Sequence, residues 1–388
     1  MAEMNDMRIL GLLPPAGGGL FDLAHTGQES RLLNAYFPAY LREFNALYYF
    51  SYFTEQLTDY TTDPELLQRV KLFPRAGNAP DKLYGFWLPF VYRRKIRRCA
   101  VLRVFQITGT PAAIIAKWLY GIPYVTTYGY KYAELARLLG SPVKAIALWL
   151  IERLGIYFAD AVIVTTAELK EHVARWTSPY KIHLIPNGVD TELFSPGSRT
   201  PSPDGRKQII FVGRLEKEKN LFRLMDALEL VNAKIPVSLT LIGEGTLRES
   251  LELYAASKTN LPVRFLGIVP HQRLPEYLRQ ADVFVLPSLL EGHPKALIEA
   301  MSCGLPCVVS DRSGCRAVVE DEKTGLLCDP EDTVDIARQV ERILVDADLA
   351  VRLGVAARWH VVEHYDLRRL VERESALLKF VAEQRHGC

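Results

Sequence analysis

The sequence predicts an α/β fold in which parallel sheets are covered by helices. Short β-branched segments in the second half of the chain, such as QIIFVGR, VSLTLIG and DVFVLP, alternate with longer segments of helical periodicity. This alternation predicts a doubly wound parallel sheet there. The first half carries strand-like segments of the same kind, among them RILGLLP, RVFQITG, PYVTTYG and DAVIVTT. The aromatic-rich residues 30–95 fit either a helix or a strand.

The length and a local change in composition predict the domain organisation. At about 150 residues per domain, 388 residues correspond to two or three domains. Pro, Gly and Ser crowd together in SPGSRTPSPDGR, and we therefore place a linker at 196–206, between a first domain at 1–195 and a second domain at 207–365. Apolar residues at helical spacing in the last segment, 366–388, predict a terminal helix that packs back toward the first domain.

The charge and the cysteine content exclude several classes of protein. With 47 basic and 45 acidic residues, the chain lacks the positive charge of a dedicated nucleic-acid binder. Six cysteines without a CxxC pair, and a start without a secretory signal pattern, predict reduced thiols in a cytoplasmic protein. The longest apolar stretch is far shorter than the ~20 residues that span a bilayer, so a membrane partner would be bound at its surface.

Two cations near the end of a strand indicate an anion-binding site. Arg214 closes the strand IIFVGR, and Lys219 follows five residues later, where the next helix begins. Because a helix N-terminus disfavours positive charge, the joint placement of the two cations suggests a diphosphate between them. The alternative is a pair of solvated surface cations that form ion pairs with Glu216 and Glu218.

The segment LPSLLEGHPKALIEAMSCGLP combines carboxylates with a helix start. Glu291 lies in the loop after a strand, Pro294 begins the following helix, and Glu299 lies about a turn into it. Amides at a helix start bind phosphate, and carboxylates accept hydrogen bonds from sugar hydroxyls. A hydrolytic acid and base pair is the alternative use of the two carboxylates. Glycine-rich turns at 17–19 and 243–245 also follow strands, with spacings that depart from the dinucleotide-binding pattern GxGxxG.

Together these motifs resemble those of the retaining nucleotide-sugar glycosyltransferases of family 4, which have the GT-B fold. The resemblance rests on the E-x7-E spacing of Glu291 and Glu299, on Arg214 with Lys219, and on the segments LIGEG, FLGIVP, IPNGVD and GLPCVVSD. It implies two Rossmann-like doubly wound domains that face a central cleft. It also implies transfer, with retention, of a hexose-type sugar from a UDP- or GDP-sugar to a glycan, lipid-linked or small-molecule acceptor.

The resemblance further implies roles for individual residues. Arg214 and Lys219 match the clamp that stabilises the diphosphate leaving group, and Glu291 matches the carboxylate that contacts the donor sugar. Glu299 matches the ribose-binding carboxylate. Because two cations already neutralise the diphosphate, no metal ion or other cofactor is expected. The positions that match the family's donor site are Gly18, Gly19, Gly243, Gly267, Val269, Gly292, His293, Pro294, Lys295 and Glu299.

One position departs from the family pattern. Many members carry a histidine after the strand that corresponds to PYVTTYG, close to the reacting carbon, whereas Tyr128 occupies or neighbours that place in this chain. A tyrosine donates a hydrogen bond but does not gain a proton at neutral pH. We therefore include Tyr128 with Arg214, Lys219 and Glu291 among the expected catalytic residues, and expect acceptor-side chemistry that differs from that of the histidine-bearing members.

A run of basic residues lies outside the family's motifs. It is either a solvated helix face or a contact for an anionic partner, such as a membrane surface or a phosphate-bearing acceptor. Aromatic residues nearby favour an interface, which would hold the protein on the inner face of the membrane. The run consists of Arg93, Arg94, Lys95, Arg97 and Arg98.

Other functions are compatible with the same fold. A sugar-nucleotide epimerase or a phosphorylase of GT-B type would use the same cleft, and a non-catalytic subunit would keep the fold without the reaction. The presence of Arg214, Lys219, Glu291 and Glu299 in one chain argues against the non-catalytic subunit.

Overall fold

The computed structural model describes residues 8–77, 80–200, 202–258 and 260–384. The chain divides into two compact units, one formed by Met1–Pro186 with Arg368–Cys388 and the other by Asn187–Leu367. Each unit contains a parallel sheet flanked by helices, which confirms the predicted α/β class.

The first unit is built on a seven-stranded parallel sheet. Its strands are β1 (Ile9–Leu13), β2 (Ala46–Phe50), β3 (Val70–Phe73), β4 (Cys99–Val104), β5 (Tyr124–Tyr128), β6 (Ala161–Val164) and β7 (Ile182–Leu184). Their spatial order is β3-β2-β1-β4-β5-β6-β7. Most strand residues are buried, as expected for strands that helices cover on both faces. The aromatic segment ALYYF, which the sequence leaves undecided, is the strand β2.

Helices connect these strands. Those before residue 186 are α1 (Leu20–His25), α2 (Glu29–Arg31), α3 (Phe37–Glu43), α4 (Pro64–Arg69), α5 (Asp81–Val91), α6 (Arg93–Ile96), α7 (Thr110–Tyr120), α8 (Tyr132–Leu138), α9 (Pro142–Phe158) and α10 (Ala167–Ala174). Proline occupies the first turn of α7 and of α9, where its missing N–H costs no helical hydrogen bond. Gly121, at φ 66°, ends α7 in the left-handed conformation.

The second unit contains a six-stranded parallel sheet. Its strands are β8 (Lys207–Val212), β9 (Val237–Ile242), β10 (Val263–Gly267), β11 (Val283–Leu286), β12 (Cys307–Ser310) and β13 (Leu326–Cys328). Its helices are α11 (Leu221–Asn232), α12 (Arg248–Ser257), α13 (Leu274–Gln280), α14 (Lys295–Ser302), α15 (Ser313–Arg316), α16 (Thr333–Val345) and α17 (Ala347–His364). The strand order β10-β9-β8-β11-β12-β13 changes direction between β8 and β11, so a topological switch point lies there.

The division between the units differs from the linker that the composition predicts. Phe194 is fully buried in the core of the second unit. Arg279 Nε donates to the carbonyl oxygen of Ser195 at 2.7 Å, and Arg358 Nη1 donates to that of Phe194 at 2.7 Å. These contacts hold the residues just before 196 in the second unit. The chain therefore divides at 186/187, and the Pro- and Gly-rich segment 196–206 belongs to the second unit.

Two predictions from composition concern the thiols and the membrane. The cysteines among the described residues are buried free thiols, whereas Cys388 lies outside the described residues. None of the helices in the described part of the chain combines the length and the hydrophobicity that crossing a membrane requires.

The last helix, α18 (Leu367–Gln384), is part of the first unit. Its Glu374 carboxylate accepts a hydrogen bond from Arg103 Nε of β4 at 2.6 Å and another from the Tyr40 hydroxyl. Arg103 also donates to Val104 O at 2.6 Å and to Thr127 Oγ1 at 2.8 Å. The side chains of Arg103 and Glu374 are only 4% and 6% exposed. A fully bonded, buried ion pair thus connects the end of the chain to the centre of the first sheet.

Replacing Glu374 by alanine is expected to lower the free energy of unfolding of the first unit by about 3 to 5 kcal/mol, because Arg103 is left buried without its carboxylate. Urea unfolding followed by tryptophan fluorescence measures this loss.

The matched control is Glu372→Ala on the same helix. Glu372 pairs with Arg42 at 3.2 Å while both side chains are mostly exposed, so its removal is expected to cost about 0 to 1 kcal/mol. Equal losses in the Glu374 and Glu372 variants would contradict the structural role assigned to the buried pair.

Candidate functional site

Two predicted site residues of the second unit, Arg214 and Glu291, lie on loops at the carboxyl edge of its sheet. Arg214 follows β8 after a single glycine, and Glu291 lies in the loop between β11 and α14. The strands β8 and β11 are neighbours on either side of the switch point. Ligands of doubly wound sheets bind outside such a point, where connections diverge to opposite faces.

Glycines at the ends of β8, β9 and β10 allow these loops to pack against one another. Gly213, Gly243 and Gly267 have φ values of 156°, 131° and 67°. Gly213 N donates to Ile242 O at 2.9 Å, and Gly243 N donates to Gly267 O at 2.8 Å. A Cβ on Gly243 would lie 2.0 Å from the carbonyl oxygen of Gly213. Gly243 is therefore required for loop packing. Val269, a short distance beyond Gly267, packs partly buried against the core.

Arg214 forms an ion pair with Glu218, one of the two partners considered in the alternative interpretation of this segment. Its Nη2 lies 2.8 Å from Glu218 Oε1, and the arginine side chain is 64% exposed whereas that of Glu218 is 2% exposed. Glu216, the other partner considered, accepts hydrogen bonds from Thr246 N at 3.0 Å and Thr246 Oγ1 at 2.7 Å. One N–H of the guanidinium thus holds a buried carboxylate while most of the side chain faces solvent.

Lys219 and Glu291 form a second ion pair. The distance between Lys219 Nζ and Glu291 Oε1 is 2.6 Å, with side-chain exposures of 12% and 8%. Lys219 ends a 3-10 turn, Lys217–Lys219, and Asn220 follows in the left-handed conformation at φ 60°. The Asn220 amide donates to Pro287 O at 3.2 Å and Pro330 O at 2.7 Å, which ties this turn to the loop after β11.

Gly314, at the start of α15, supports the same loop from the other side. A Cβ there would lie 2.4 Å from Glu291 O and 2.7 Å from Gly292 O. Burial and, to a smaller extent, the Glu291 carboxylate raise the pKa of the neighbouring Cys315 thiol to about 12. Cys315 is therefore a neutral structural group at physiological pH.

Glu299 lies within α14 and pairs with His271. Its Oε1 is 2.9 Å from His271 Nε2, and both side chains are almost completely buried. The Phe194 ring lies against the imidazole with a centroid distance of 4.9 Å. His271 therefore fixes the orientation of the carboxylate that the sequence predicts to bind ribose.

The loop from Gly292 to Pro294 is buried and held by the second unit. Asn187 Nδ2 donates to His293 O at 2.8 Å, and the His293 ring packs edge-on against Tyr365 at 5.1 Å. Pro294 is the N-cap residue of α14, and Lys295, the first residue of the helix, is exposed. The backbone around the start of α14 is thus rigidly placed beside Glu291.

The predicted glycine loop of the first unit is packed against protein groups. A Cβ on Gly19 would lie 2.5 Å from Ser51 Oγ and 2.7 Å from Glu55 Oε1. The Glu55 carboxylate accepts hydrogen bonds from Leu20 N at 3.0 Å and Phe21 N at 2.6 Å, so it caps the first turn of α1. Gly18 N donates to Pro15 O at 2.9 Å. The close approach that Gly19 allows is therefore made to Ser51 and Glu55, and the approach of both glycines to a phosphate stays a prediction.

The geometry argues against Tyr128 as a residue that touches substrate. Its side chain is 1% exposed, and its ring stacks on that of His172. Burial raises the pKa of Tyr128, and its hydrogen bond to the Glu152 carboxylate raises it further. Glu152 also accepts from Ala133 N at 3.1 Å. Tyr128 thus belongs to a buried network in the first unit, and its assignment as catalytic stays a prediction that its burial does not favour.

Sequence reasoning does not identify three residues that take part in the site: Glu218, His271 and Gly314. The spacing of four residues between Arg214 and Glu218 is visible in the sequence, and it yields Glu218 only as an alternative partner. His271 is 28 residues from Glu299 and lacks a local signal. Gly314 acts through a backbone contact with a loop from another strand.

Comparisons with known proteins agree with this architecture. A family model described as glycosyl transferases group 1 matches residues 198–360, and one described as glycosyltransferase family 4 matches residues 41–193. The chain is 32% identical over 274 residues to UDP-Gal:alpha-D-GlcNAc-diphosphoundecaprenol alpha-1,3-galactosyltransferase of Escherichia coli, covering 67% of this chain and 70% of that protein.

Solved structures show the same fold. Sucrose-phosphate synthase from Thermosynechococcus elongatus has a TM-score of 0.79 and 21% identity, over 97% of this chain and 100% of that chain. HepE of Anabaena in complex with UDP and glucose has a TM-score of 0.73 and 18% identity, over 96% and 99%. The predicted GT-B fold is thereby confirmed.

Replacing Gly243 by alanine is expected to destabilise the second unit by about 3 kcal/mol or more, because the new Cβ would overlap Gly213 O and the backbone conformation excludes L-residues. The measurement is thermal or urea unfolding of the purified variant.

Gly205→Ala is the matched control. Gly205 also has a positive φ, 69°, but nothing lies within 4 Å of its added Cβ, so the expected cost is about 1 to 2 kcal/mol. A Gly243 variant no less stable than the Gly205 variant would show that the loops can separate without cost.

Proposed function

The chain belongs to glycosyltransferase family 4, and we propose that it transfers a hexose-type sugar from a UDP- or GDP-sugar to an acceptor hydroxyl with retention at the anomeric carbon. One observation carries the proposal: Arg214 and Lys219 lie on one loop at the switch point, and Lys219 pairs with Glu291 of the neighbouring loop. This places permanent positive charge where doubly wound sheets bind their ligands.

The two cations are proposed to stabilise the diphosphate leaving group. The Arg214 side chain is mostly exposed and keeps N–H groups beyond the one that bonds Glu218. Lys219 has an ammonium group with three donors, of which Glu291 takes one at 2.6 Å. Charge-assisted hydrogen bonds from both side chains would strengthen as negative charge develops on the diphosphate. On this proposal, protein cations neutralise the leaving group and no metal ion or other cofactor is needed.

The carboxylates are proposed to bind hydroxyl groups of the donor. Glu291 would accept from the transferred sugar, beside the backbone of residues 292–295, and Glu299 would accept from the ribose. In the transfer itself, the bond from the anomeric carbon to the diphosphate oxygen breaks while the bond to the acceptor oxygen forms. The acceptor proton ends on the released nucleoside diphosphate, so the step needs no proton from a protein acid.

Relatives support a nucleotide-sugar donor. The E. coli relative is named for a UDP-Gal donor and a diphosphoundecaprenol-linked acceptor, and the HepE structure contains UDP and glucose. We propose an acceptor of the glycan or lipid-linked kind, reached at the inner face of a membrane. The exposed basic run of α6 and the residues after it would then contact an anionic partner there.

Arg214→Ala and Lys219→Ala are each expected to lower turnover about 100- to 1000-fold, because each removes one charge-stabilising donor from the leaving group. The assay measures nucleoside diphosphate released from UDP- and GDP-sugars in the presence of candidate acceptors, with the anomeric configuration of the product read by NMR.

Lys217→Ala is the control for these variants. Lys217 lies in the same 3-10 turn and is exposed, so near-normal turnover is expected. In parallel, UDP or GDP at 100 times its Kd should stabilise the wild type by about 2.7 kcal/mol in a thermal-shift panel. Normal turnover in both the Arg214 and the Lys219 variant would refute the proposed clamp, and an inverted product would refute retention.

His271→Ala is expected to raise the donor KM about 10- to 100-fold with a smaller change in kcat, because Glu299 loses the hydrogen bond that orients it. Glu299→Ala should produce the same split, and His271→Gln, which keeps an N–H donor, should recover part of the loss. Gln272→Ala, exposed in the same turn, is the control. A fall in kcat at unchanged KM would contradict the proposal that Glu299 binds the ribose.

A further inference from the structure

Three helices of the first unit lie side by side in one layer. The Tyr120 hydroxyl of α7 donates to Pro89 O of α5 at 3.1 Å. The Trp118 ring of α7 packs edge-on against Phe158 of α9 with a centroid distance of 5.0 Å. A Cβ on Gly155 of α9 would lie 2.5 Å from Thr110 Oγ1 at the start of α7, so these two helices are in close contact. The layer α5-α7-α9 is therefore continuous.

The outer side of α9 is apolar instead of polar. Its buried residues, Ala145, Gly155 and Ile156 among them, face the unit. Its exposed large residues recur at intervals of three or four and therefore form one stripe along the helix. An ordinary surface helix carries charged or polar residues on this side. The stripe consists of Val143, Ile146, Leu150, Leu154 and Tyr157.

The neighbouring helices extend this surface. Exposed apolar side chains recur at helical spacing on α5, and α7 adds a tryptophan and a leucine beside them. Each residue of the set is between 45% and 81% exposed. We call the whole set the apolar helix face. It consists of the α9 stripe together with Leu83, Phe86, Trp87, Phe90 and Val91 of α5 and Trp118 and Leu119 of α7.

The charge around the apolar helix face is positive. No Asp or Glu occurs between Asp81 and Glu134. Of the next carboxylates, Glu152 is buried and bonded to Ala133 N, and Asp160 pairs with Lys117 at 2.7 Å. Glu134, on α8, is exposed and lies 3.7 Å from Lys131. Exposed cations lie close by along the chain, in the basic run that follows α5 and at Lys144 of α9.

We propose that the apolar helix face, flanked by the basic run Arg93, Arg94, Lys95, Arg97 and Arg98, docks on an anionic lipid bilayer. The helices would lie in the interface with their outer residues among the headgroups and upper acyl chains. Tryptophan and tyrosine, which the face contains, are enriched at this depth of a membrane. Acidic lipid headgroups complement the basic run.

Charge distinguishes this partner from a second copy of the chain. A two-fold interface would bring the same surface of both copies together. Their basic runs would then lie near one another with few carboxylates between them, which opposes association. Anionic lipid carries the opposite charge to the run and requires no shape complementarity. The inference rests on the anionic partner proposed above for the basic run and is independent of the transfer reaction.

Co-sedimentation with vesicles of phosphatidylcholine, with and without phosphatidylglycerol, tests the proposal. The full chain is expected to bind the anionic vesicles, with a blue shift of the tryptophan fluorescence as Trp87 and Trp118 leave water. Ile146→Ser with Leu150→Ser should weaken binding at least about tenfold at both about 0.05 and 0.5 M salt. Arg94→Ala with Arg97→Ala should weaken it about 25-fold, mainly at the lower salt.

Val355→Ser with Trp359→Ser is the matched control, since these α17 residues are each 67% exposed and belong to the second unit. This variant should bind vesicles as the wild type does, and all variants should keep the thermal shift with UDP or GDP. The proposal would be overturned if binding did not depend on anionic lipid, or if the control variant lost as much vesicle binding as the Ile146 and Leu150 variant. A dimer in ultracentrifugation that the Ile146 and Leu150 changes dissociate without any vesicle binding would also overturn it. Loss of the nucleotide shift alone would count against the proposed reaction and leave the docking surface standing.

Discussion

The pairing of buried carboxylates with basic partners is the constraint on which the site of the second unit depends. Glu218, Glu291 and Glu299 are nearly inaccessible to water, and a buried charge without a partner is costly. Arg214, Lys219 and His271 supply the partners. Because two of these pairs join different loops or helices, the same interactions that satisfy the charges also fix the backbone around the switch point. Stability and site geometry therefore have a common origin here.

This arrangement determines how a diphosphate would be bound. The three pairs contain three carboxylates and two permanent cations, so a diphosphate would gain little from the net charge of these pairs. The diphosphate would instead accept hydrogen bonds from N–H groups that the carboxylates leave unused, chiefly those on the exposed guanidinium of Arg214. Lys219, already 2.6 Å from Glu291, would have to share its ammonium between this carboxylate, which is proposed to bind the sugar, and the proposed leaving group. On the proposed roles, donor binding and the orientation of Glu291 would be coupled through this single side chain.

The features of the fold and of the candidate site that depend on local sequence could be predicted. Alternating strands and helices, the proline at the start of α7 and the position of Arg214 after β8 are all visible in the sequence. The contacts that a residue makes with side chains distant in the sequence could not be predicted. Tyr128 ends a strand, as a catalytic group can, yet its ring is buried in the core of the first unit, beside Glu152 of α9. Likewise, Gly19 indicates that another group approaches the backbone closely, but only the structure shows that this group is the Glu55 carboxylate. Composition alone misplaces the linker because Arg279 and Arg358 bind backbone that precedes it.

Net charge conceals how the charges are distributed. The chain is almost neutral, with a formal charge of +2, and this net charge argues against a general polyanion-binding protein. Yet acids are absent from the long stretch between Asp81 and Glu134, which includes α6, α7 and all of α5 after its first residue, whereas Glu218, Glu291 and Glu299 lie together in the candidate site of the second unit. Acids would be costly on a surface that meets anionic headgroups, whereas hydrogen bonding to sugar hydroxyls requires them. If both proposals hold, the segregation of carboxylates along the chain would reflect two different environments, an anionic membrane interface for one set of helices and a nucleotide-sugar site for the other set of loops.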